Sequence, residues 1–271
     1  VSLDSTLGKK LEGDVDVIIS CLKQRTLYRN LATVAHYLDG REITVYDQDP
    51  WEGWKDGGPF KGSYESIFSS LKVKTFAVTT KWWADFIRSK GMPCVFVPMW
   101  VLPEYCDPIP PWLRRSTPVG FIGSVHKYRF ELFEHLRQQG VEVDVKGGNV
   151  LGYGPFLGAL SDIQIFVHSE DAPLTVDGSP TNMGTGLWVK DVEAAARGCY
   201  SIRNRLEGHE SYLEGIGTVR LYNHLGEVAG IIRAIQRMDP EERQHEIDTT
   251  VEYIRSADRW SETADILTGV G

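Results

Sequence analysis

Short β-branched apolar runs alternate along this chain with stretches whose apolar residues recur at helical spacing, and that alternation admits few folds. Parallel strands need a crossover between them, usually a helix, so the β-α-β order predicts parallel sheets with helices on both faces. The run Val15–Ser20 reads as a buried strand, and Thr26–Leu38 then sets Leu27, Leu31, Val34, Ala35 and Leu38 on one helical face. Ile43–Tyr46 is a second strand ending in the acidic turn Asp47-Gln48-Asp49-Pro50. Thr75–Thr79 and Cys94–Val97 read as strands around a helix over Lys81–Ser89 that Gly91 closes, with one of the adjacent Trp82 and Trp83 facing the core.

Asp107–Pro118 carries four prolines in twelve residues, which neither a helix nor a central strand tolerates, and a domain boundary is expected there. The alternation then restarts: Val119–Ile122 strand, Tyr128–Gln139 helix, Val141–Val145 and Ile163–His168 strands, Val189–Arg197 helix, Tyr200–Arg203 and Val219–Tyr222 strands. Gly226–Ser256 reads as helical, with Asp239 as N-cap and Pro240 at the first position of a fresh helix. The expected division is a first α/β domain over 1–108, a second over 118–240, and closing helices over 241–271 that cross back to the first.

Composition narrows the partners. With 42% hydrophobic and 24% charged residues among 271, the chain can bury a core without disulfide or metal staples. A formal charge of −8 argues against a general grip on nucleic acid or anionic lipid. Cys21, Cys94, Cys106 and Cys199 are dispersed, with no zinc-ligand spacing, and read as buried thiols. No apolar run is long enough for a transmembrane helix, and Val1–Lys10 lacks signal-peptide order, so the cytoplasm is the expected compartment.

Four clusters could carry chemistry. Phe121-Ile122-Gly123-Ser124 ends a strand in small residues and leads into a helix bearing Arg129, where backbone N–H groups suit an anion; a ligand-free β-α turn has the same pattern. In the second, Gly184-Thr185-Gly186 opens a helix on which Lys190 and Glu193 stand three apart. A cation there can neutralise a diphosphate and a carboxylate can accept both hydroxyls of a ribose, or the two can form a surface ion pair. The third is His168 at a strand end, a candidate for phosphate or sugar, together with Tyr153 in the Gly152-Tyr-Gly-Pro155 turn as a candidate for the base. The fourth is the turn Asp47 to Trp54, where Asp49 or Asp47 could steady an oxocarbenium-like sugar or deprotonate an acceptor, and Trp51 and Trp54 could stack on it. Its Asp-Gln-Asp spacing is not read as a metal motif, and Lys23 and Arg25 are read as solvated loop charges.

The segment Gly186-Leu187, Lys190, Glu193-Ala-Ala-Ala-Arg-Gly198 resembles the G-L-N-x-R-x-F-E-x-x-A-x-G signature of glycosyltransferases with two Rossmann-like domains, the GT-B fold, in the CgeB-like branch of their group-1, GT4-like members. Phe121–Ser124 with Arg129 is similar to that family's F-x-G-S…R segment, and Thr79–Phe86 with Pro98 to the end of its first domain. Lys190 stands where the signature has Arg and Trp188 where it has Asn, and the position eight before Glu193, where retaining members carry a second glutamate, holds Thr185. The resemblance implies two Rossmann-like domains facing across a cleft and transfer of a sugar from a nucleotide-diphosphate donor to a small-molecule or glycan acceptor. It places the donor on Gly123, Ser124, Arg129, Tyr153, His168, Thr185, Gly186, Lys190 and Glu193, and the acceptor near Asp47, Asp49, Trp51 and Trp54. No metal or other cofactor is expected, since side chains and helix dipole can neutralise the leaving diphosphate. A non-catalytic nucleotide or sugar sensor and a nucleotide-sugar epimerase of the same fold stay open.

Overall fold

A computed structural model of the protein describes residues 17–21, 24–106, 109–147, 152–170, 174–181, 189–206, 210–257 and 259–268. They divide between two compact units. The first comprises the described residues of Val1–Pro98, Pro173–Leu187 and Ser261–Gly271; the second those of Met99–Ala172 and Trp188–Trp260.

The first unit is built on four parallel strands, β1 (Val17–Cys21), β2 (Glu42–Asp47), β3 (Lys72–Val78) and β4 (Cys94–Phe96), hydrogen-bonded in that order. The helical stretch expected over Thr26–Leu38 is two helices, α1 (Arg25–Arg29) and α2 (Leu31–Leu38). They part at Asn30, whose side-chain amide donates to the Thr26 carbonyl at 2.8 Å and so competes with the helical ladder. Helix α3 (Ser63–Ser70) was not legible because only Tyr64 and Ile67 mark its buried stripe among serines. Helix α4 (Lys81–Ser89) matches its expected span, and Thr80 caps it by accepting the Trp83 N–H at 3.2 Å. Trp83 is fully buried in a core with Tyr64, Ile67 and Phe76, while Trp82 lies partly exposed against Phe86.

This unit also takes a hairpin from the far half of the chain. Strands β8 (Leu174–Val176) and β9 (Ser179–Thr181) pair antiparallel, and the hairpin docks by an Asp56 N–H bond to the Thr175 carbonyl, a Gly178 N–H bond to Asp56, and ion pairing of Lys90 with Asp177.

The second unit holds five parallel strands in the order β11-β10-β7-β5-β6, with β5 at Thr117–Ile122, β6 at Asp144–Lys146, β7 at Ile163–His168, β10 at Tyr200–Asn204 and β11 at Val219–Tyr222. Helices α5 (Lys127–Gln138), α6 (Tyr153–Ser161), α7 (Val189–Ala196), α8 (Glu210–Leu213), α9 (Leu225–Arg237) and α10 (Pro240–Ser256) connect or follow them, and α11 (Arg259–Thr268) ends the described chain. Asp239 caps α10 through the Glu241 and Glu242 N–H groups with Pro240 at the first position. The Gly152-Tyr-Gly-Pro155 segment, expected as a turn, opens α6, because Pro155 falls in the first turn where its missing N–H costs no helical bond. The strand order reverses between β5 and β7, and open α/β sheets bind ligands at the carboxyl ends of strands at such a reversal. No helix among the described residues is long and apolar enough to cross a membrane.

Gly198 ends α7 in the left-handed region at φ +71°, with its N–H bonded to the Ala195 carbonyl and the Cys199 N–H to that of Ala194. A Cβ there would meet Arg115 Nη2 at 2.5 Å and Ile109 Cγ2 at 2.8 Å. Gly198→Ala is expected to destabilise the second unit by about 2–5 kcal/mol, the sum of a left-handed penalty and overpacking, read as a lower denaturation midpoint at unchanged slope.

At the carboxyl end of β2, Asp47 is fully buried, its carboxylate accepting the Tyr64 hydroxyl at 2.7 Å and the Asp49 N–H at 2.9 Å. Burial, only partly offset by these bonds, pushes its pKa up to about 7. A carboxyl that binds its proton more tightly when folded stabilises the fold below its unfolded pKa and loses that stability as pH rises through its folded pKa. Stability should therefore fall by about 4 kcal/mol between pH 4 and pH 8 on account of Asp47. Asp47→Asn should flatten that part of the urea-midpoint profile; an unchanged slope would contradict the assignment.

Candidate functional site

A cavity of about 400 Å³ opens in the second unit at the carboxyl end of β5, beside the strand-order reversal. Its floor is Ile122, Gly123 and Ser124; α5 contributes His126, at its N-cap, and Arg129, α6 contributes Tyr153 and Phe156, and α7 contributes Val189, Lys190 and Glu193. The first turns of α5 and α6 border it, which brings unpaired backbone N–H groups and the positive ends of two helix dipoles to one opening, and α7 closes it from a third side. Such an opening attracts an anion.

Gly123 stands at φ +151° where a Cβ would lie 2.9 Å from Phe121 Cζ and 3.1 Å from Lys190 Nζ, so glycine is what lets the lysine lie against the strand end. The Lys190 ammonium is 5.8 Å from the Phe121 ring centroid and has no hydrogen bond or ion pair among the described residues. Burial, and then the neighbouring Arg129 charge, push its pKa below that of a free lysine. Glu193 is buried beside it, and burial raises its carboxyl pKa against the pull of Tyr153 and Lys190. Tyr153 is 45% exposed, its ring stacked with Phe156 at 6.2 Å and its phenol pushed up by burial and by Glu193.

Several expected ligand contacts are overturned by burial. His168 reaches neither phosphate nor sugar: it is fully buried and its Nε2 lies 2.8 Å from Asp191 Oδ1. Because an ionised carboxylate only accepts, Nε2 is the donor of this bond. Arg129 lines the wall but its guanidinium is engaged by the carbonyls of Ser169 (3.1 Å) and Ser124 (2.8 Å) and by the Glu170 carboxylate. It gives the cavity charge rather than a fork of free donors. In the first unit, Asp47 is fully buried, and Trp54, 2% exposed, packs on Tyr64 and Phe86, which removes both from contact with an acceptor. Asp49 is buried at 6% exposure and Trp51 is partly exposed beneath Lys55. Thr185 and Gly186 lie outside the described residues.

The sequence reading missed Phe156 and His126, each within three residues of a named candidate. It also missed Asp191, Arg203 and Ser201, which form the polar layer around His168. The signal for that layer was faint: an arginine in the otherwise apolar strand Tyr200–Asn204, and an acid beside the helix position that Ala194–Ala196 require to be buried. Among the described residues no group of three or more His, Cys, Asp or Glu side chains could hold a metal ion.

No protein-family model and no curated protein sequence matches the chain. Solved structures do. HepE from Anabaena, in complex with UDP and glucose, is 12% identical with a TM-score of 0.64 over 93% of this chain and 77% of that one. An α,α-trehalose-phosphate synthase (UDP-forming) from Burkholderia vietnamiensis is 13% identical, TM-score 0.60, over 94% and 73%. Sucrose-phosphate synthase from Thermosynechococcus elongatus is 11% identical, TM-score 0.58, over 91% and 78%. The chain has the fold of the GT-B glycosyltransferases, two Rossmann-like domains each built on a parallel sheet.

Proposed function

We propose that this protein transfers a sugar from a nucleoside-diphosphate sugar to an acceptor hydroxyl or amine. One observation carries the reading: Lys190, without an ion-pair partner among the described residues, and Glu193 stand on one face of α7 at the mouth of a cavity bordered by the N-termini of α5 and α6. A dianionic diphosphate meets the charge on Lys190 and the backbone N–H groups near Gly123 and Ser124, and the Glu193 carboxylate accepts the ribose hydroxyls. Tyr153 and Phe156 offer aromatic surface to a base. That HepE is described with UDP and glucose, and that the segment 186–199 resembles the CgeB-like signature, supports this choice of ligand.

In this reaction the bond from the anomeric carbon to the diphosphate oxygen breaks and a bond to the acceptor oxygen or nitrogen forms. Negative charge grows on the leaving diphosphate, where Lys190 and the helix dipoles are already aimed, so that charge is stabilised without a divalent cation. Thr185 and Gly186 belong to the donor site in this reading. The acceptor binds the first unit near Trp51 and Asp49, with Asp49 as the base that takes the acceptor proton. The reading takes a small-molecule or glycan acceptor, met in the cytoplasm, and the −8 charge speaks against a nucleic-acid acceptor.

The test is thermal denaturation against UDP, GDP, TDP, CDP and ADP and their sugars. A nucleotide at a hundred times its dissociation constant should raise the midpoint by about 5 °C, and Lys190→Ala and Glu193→Ala should each weaken that nucleotide by about 10–100-fold. No shift with any nucleotide would overturn the donor site. Release of free sugar or its transfer separates a transferase from a sensor that only binds, and inversion of the donor sugar without acceptor would instead mark an epimerase.

A further inference from the structure

Beneath the cavity lies a layer of buried polar groups centred on Asp191, His168, Ser201 and Arg203, none of which lines it. Asp191 is fully buried, and its carboxylate accepts from His168 Nε2 at 2.8 Å, Ser201 Oγ at 2.6 Å and Arg203 Nη1 at 2.6 Å. His168 and Arg203 are register partners at the ends of the adjacent parallel strands β7 and β10, and Ser201 is two residues back on the same face of β10. One carboxylate on α7 is therefore tied to two strands at once. The layer continues: His168 Nδ1 stands 3.5 Å from Glu170, and Glu170 pairs with Arg129, which holds the carbonyl of Ser124 in the cavity floor.

We infer that Asp191 is a positioning residue for the cavity: by holding His168, Ser201 and Arg203 it fixes the rotation of the first turn of α7, so that Lys190 and Glu193 face the opening. The remainder of the helix is held otherwise. Val192, Ala194, Ala195 and Ala196 are fully or almost fully buried in apolar packing, which is non-directional, and the directional ties at the far end, from Arg197 to Ser161 Oγ and to the Tyr105 carbonyl, act beyond the helix and not on the turn that carries Lys190. Three hydrogen bonds to an ionised carboxylate are directional and short, and they act one residue from Lys190 and two from Glu193. Burial opposes ionisation of Asp191, and the His168 and Arg203 contacts outweigh it, holding the carboxyl well below its ordinary pKa.

What the cavity binds rests on the proposed donor site; the positioning itself does not. The experiment therefore has two readouts on the full chain carrying Asp191→Asn. The first is the dissociation constant of UDP, expected to rise at least tenfold, with the rise vanishing when Lys190→Ala is already present; loss through general destabilisation would persist in that background. The second is the titration of the Lys190 amine, followed by NMR of the isotopically dimethylated protein. The charged groups facing that amine are Arg129 from α5, Glu170 after β7, and Asp191 and Glu193 on α7. Removing the negative Asp191 from an unmoved helix lowers the Lys190 pKa further, whereas releasing the helix turn lets the amine reach water and raises it toward that of free lysine.

An upward shift is expected. A downward or absent shift overturns the inference, as does unchanged UDP affinity in a protein whose parent binds UDP. If the parent binds another of the five nucleoside diphosphates in place of UDP, that nucleotide is used; if it binds none of them, the donor reading fails and the Lys190 titration alone decides. If Asp191→Asn does not fold, Ser201→Ala, which removes one donor and keeps the ion pair, is read the same way: a smaller upward shift supports the inference and none overturns it.

Discussion

Parallel strand pairing is the constraint from which the rest follows. Each crossover helix that returns the chain to the start of the next strand leaves the sheet at its carboxyl edge, so every helix of a parallel sheet presents its N-terminus to that edge. In the second unit the order β11-β10-β7-β5-β6 sends successive connections to opposite sides of β5, and the cavity opens at the carboxyl end of that strand. The N-terminal dipole ends of α5 and α6 and their unpaired N–H groups meet there without any residue having been chosen for charge. In the first unit β1 to β4 run in sequence order, with no reversal among the described strands. The carboxyl end of β2 is filled by Asp47, Tyr64 and Asp49 packed on one another.

Two buried aspartates show how partners decide what burial does. Asp47 and Asp191 are both fully enclosed, and each carboxylate accepts from a hydroxyl group. Asp47 has a tyrosine hydroxyl and backbone N–H donors with no cation, and burial wins; Asp191 has the His168 imidazole and the Arg203 guanidinium, and burial loses. The glutamates repeat the contrast. Glu170, against Arg129 and His168, is held at about 2, whereas Glu193, whose nearest cation is not within ion-pair distance, is raised. The carboxyls beneath the cavity are thus held as charges, and the one in its wall is not.

The alternation of apolar periods made the two parallel sheets legible, and strands β7 and β11 and helix α4 lie at their expected limits. The glycine turn after β5 and the Lys190/Glu193 pair were also legible, because a strand end and a helix start are local patterns. What was not legible depends on contacts distant in sequence. The burial of His168 is set by Asp191, 23 residues on, and nothing in Ile163–His168 distinguishes a strand-end histidine that meets a ligand from one that meets a carboxylate. Trp54 and Asp47 sit in a turn that looks exposed by composition and is buried by Tyr64 and Phe86, from helices α3 and α4. The hairpin β8–β9 escaped notice because its segments are three residues long and its docking partner, Asp56, lies more than a hundred residues away.

The division of labour between Arg129 and Lys190 follows from the shapes of their head groups. A guanidinium presents a planar fork of donors, and at Arg129 that fork is matched by two backbone carbonyls and a carboxylate arranged around it, which makes it a tie between α5, the end of β7 and the cavity floor. A lysine ammonium is a point charge on a flexible stem. It can rest over the Phe121 ring without a fixed partner and move to an anion of varied geometry at little cost in orientation. An arginine at position 190 would place a second fork beside the first, in a wall where Glu170 is already engaged by Arg129. Lysine at this position keeps in the cavity a cation with no ion-pair partner among the described residues, an excess of charge rather than a preformed fork.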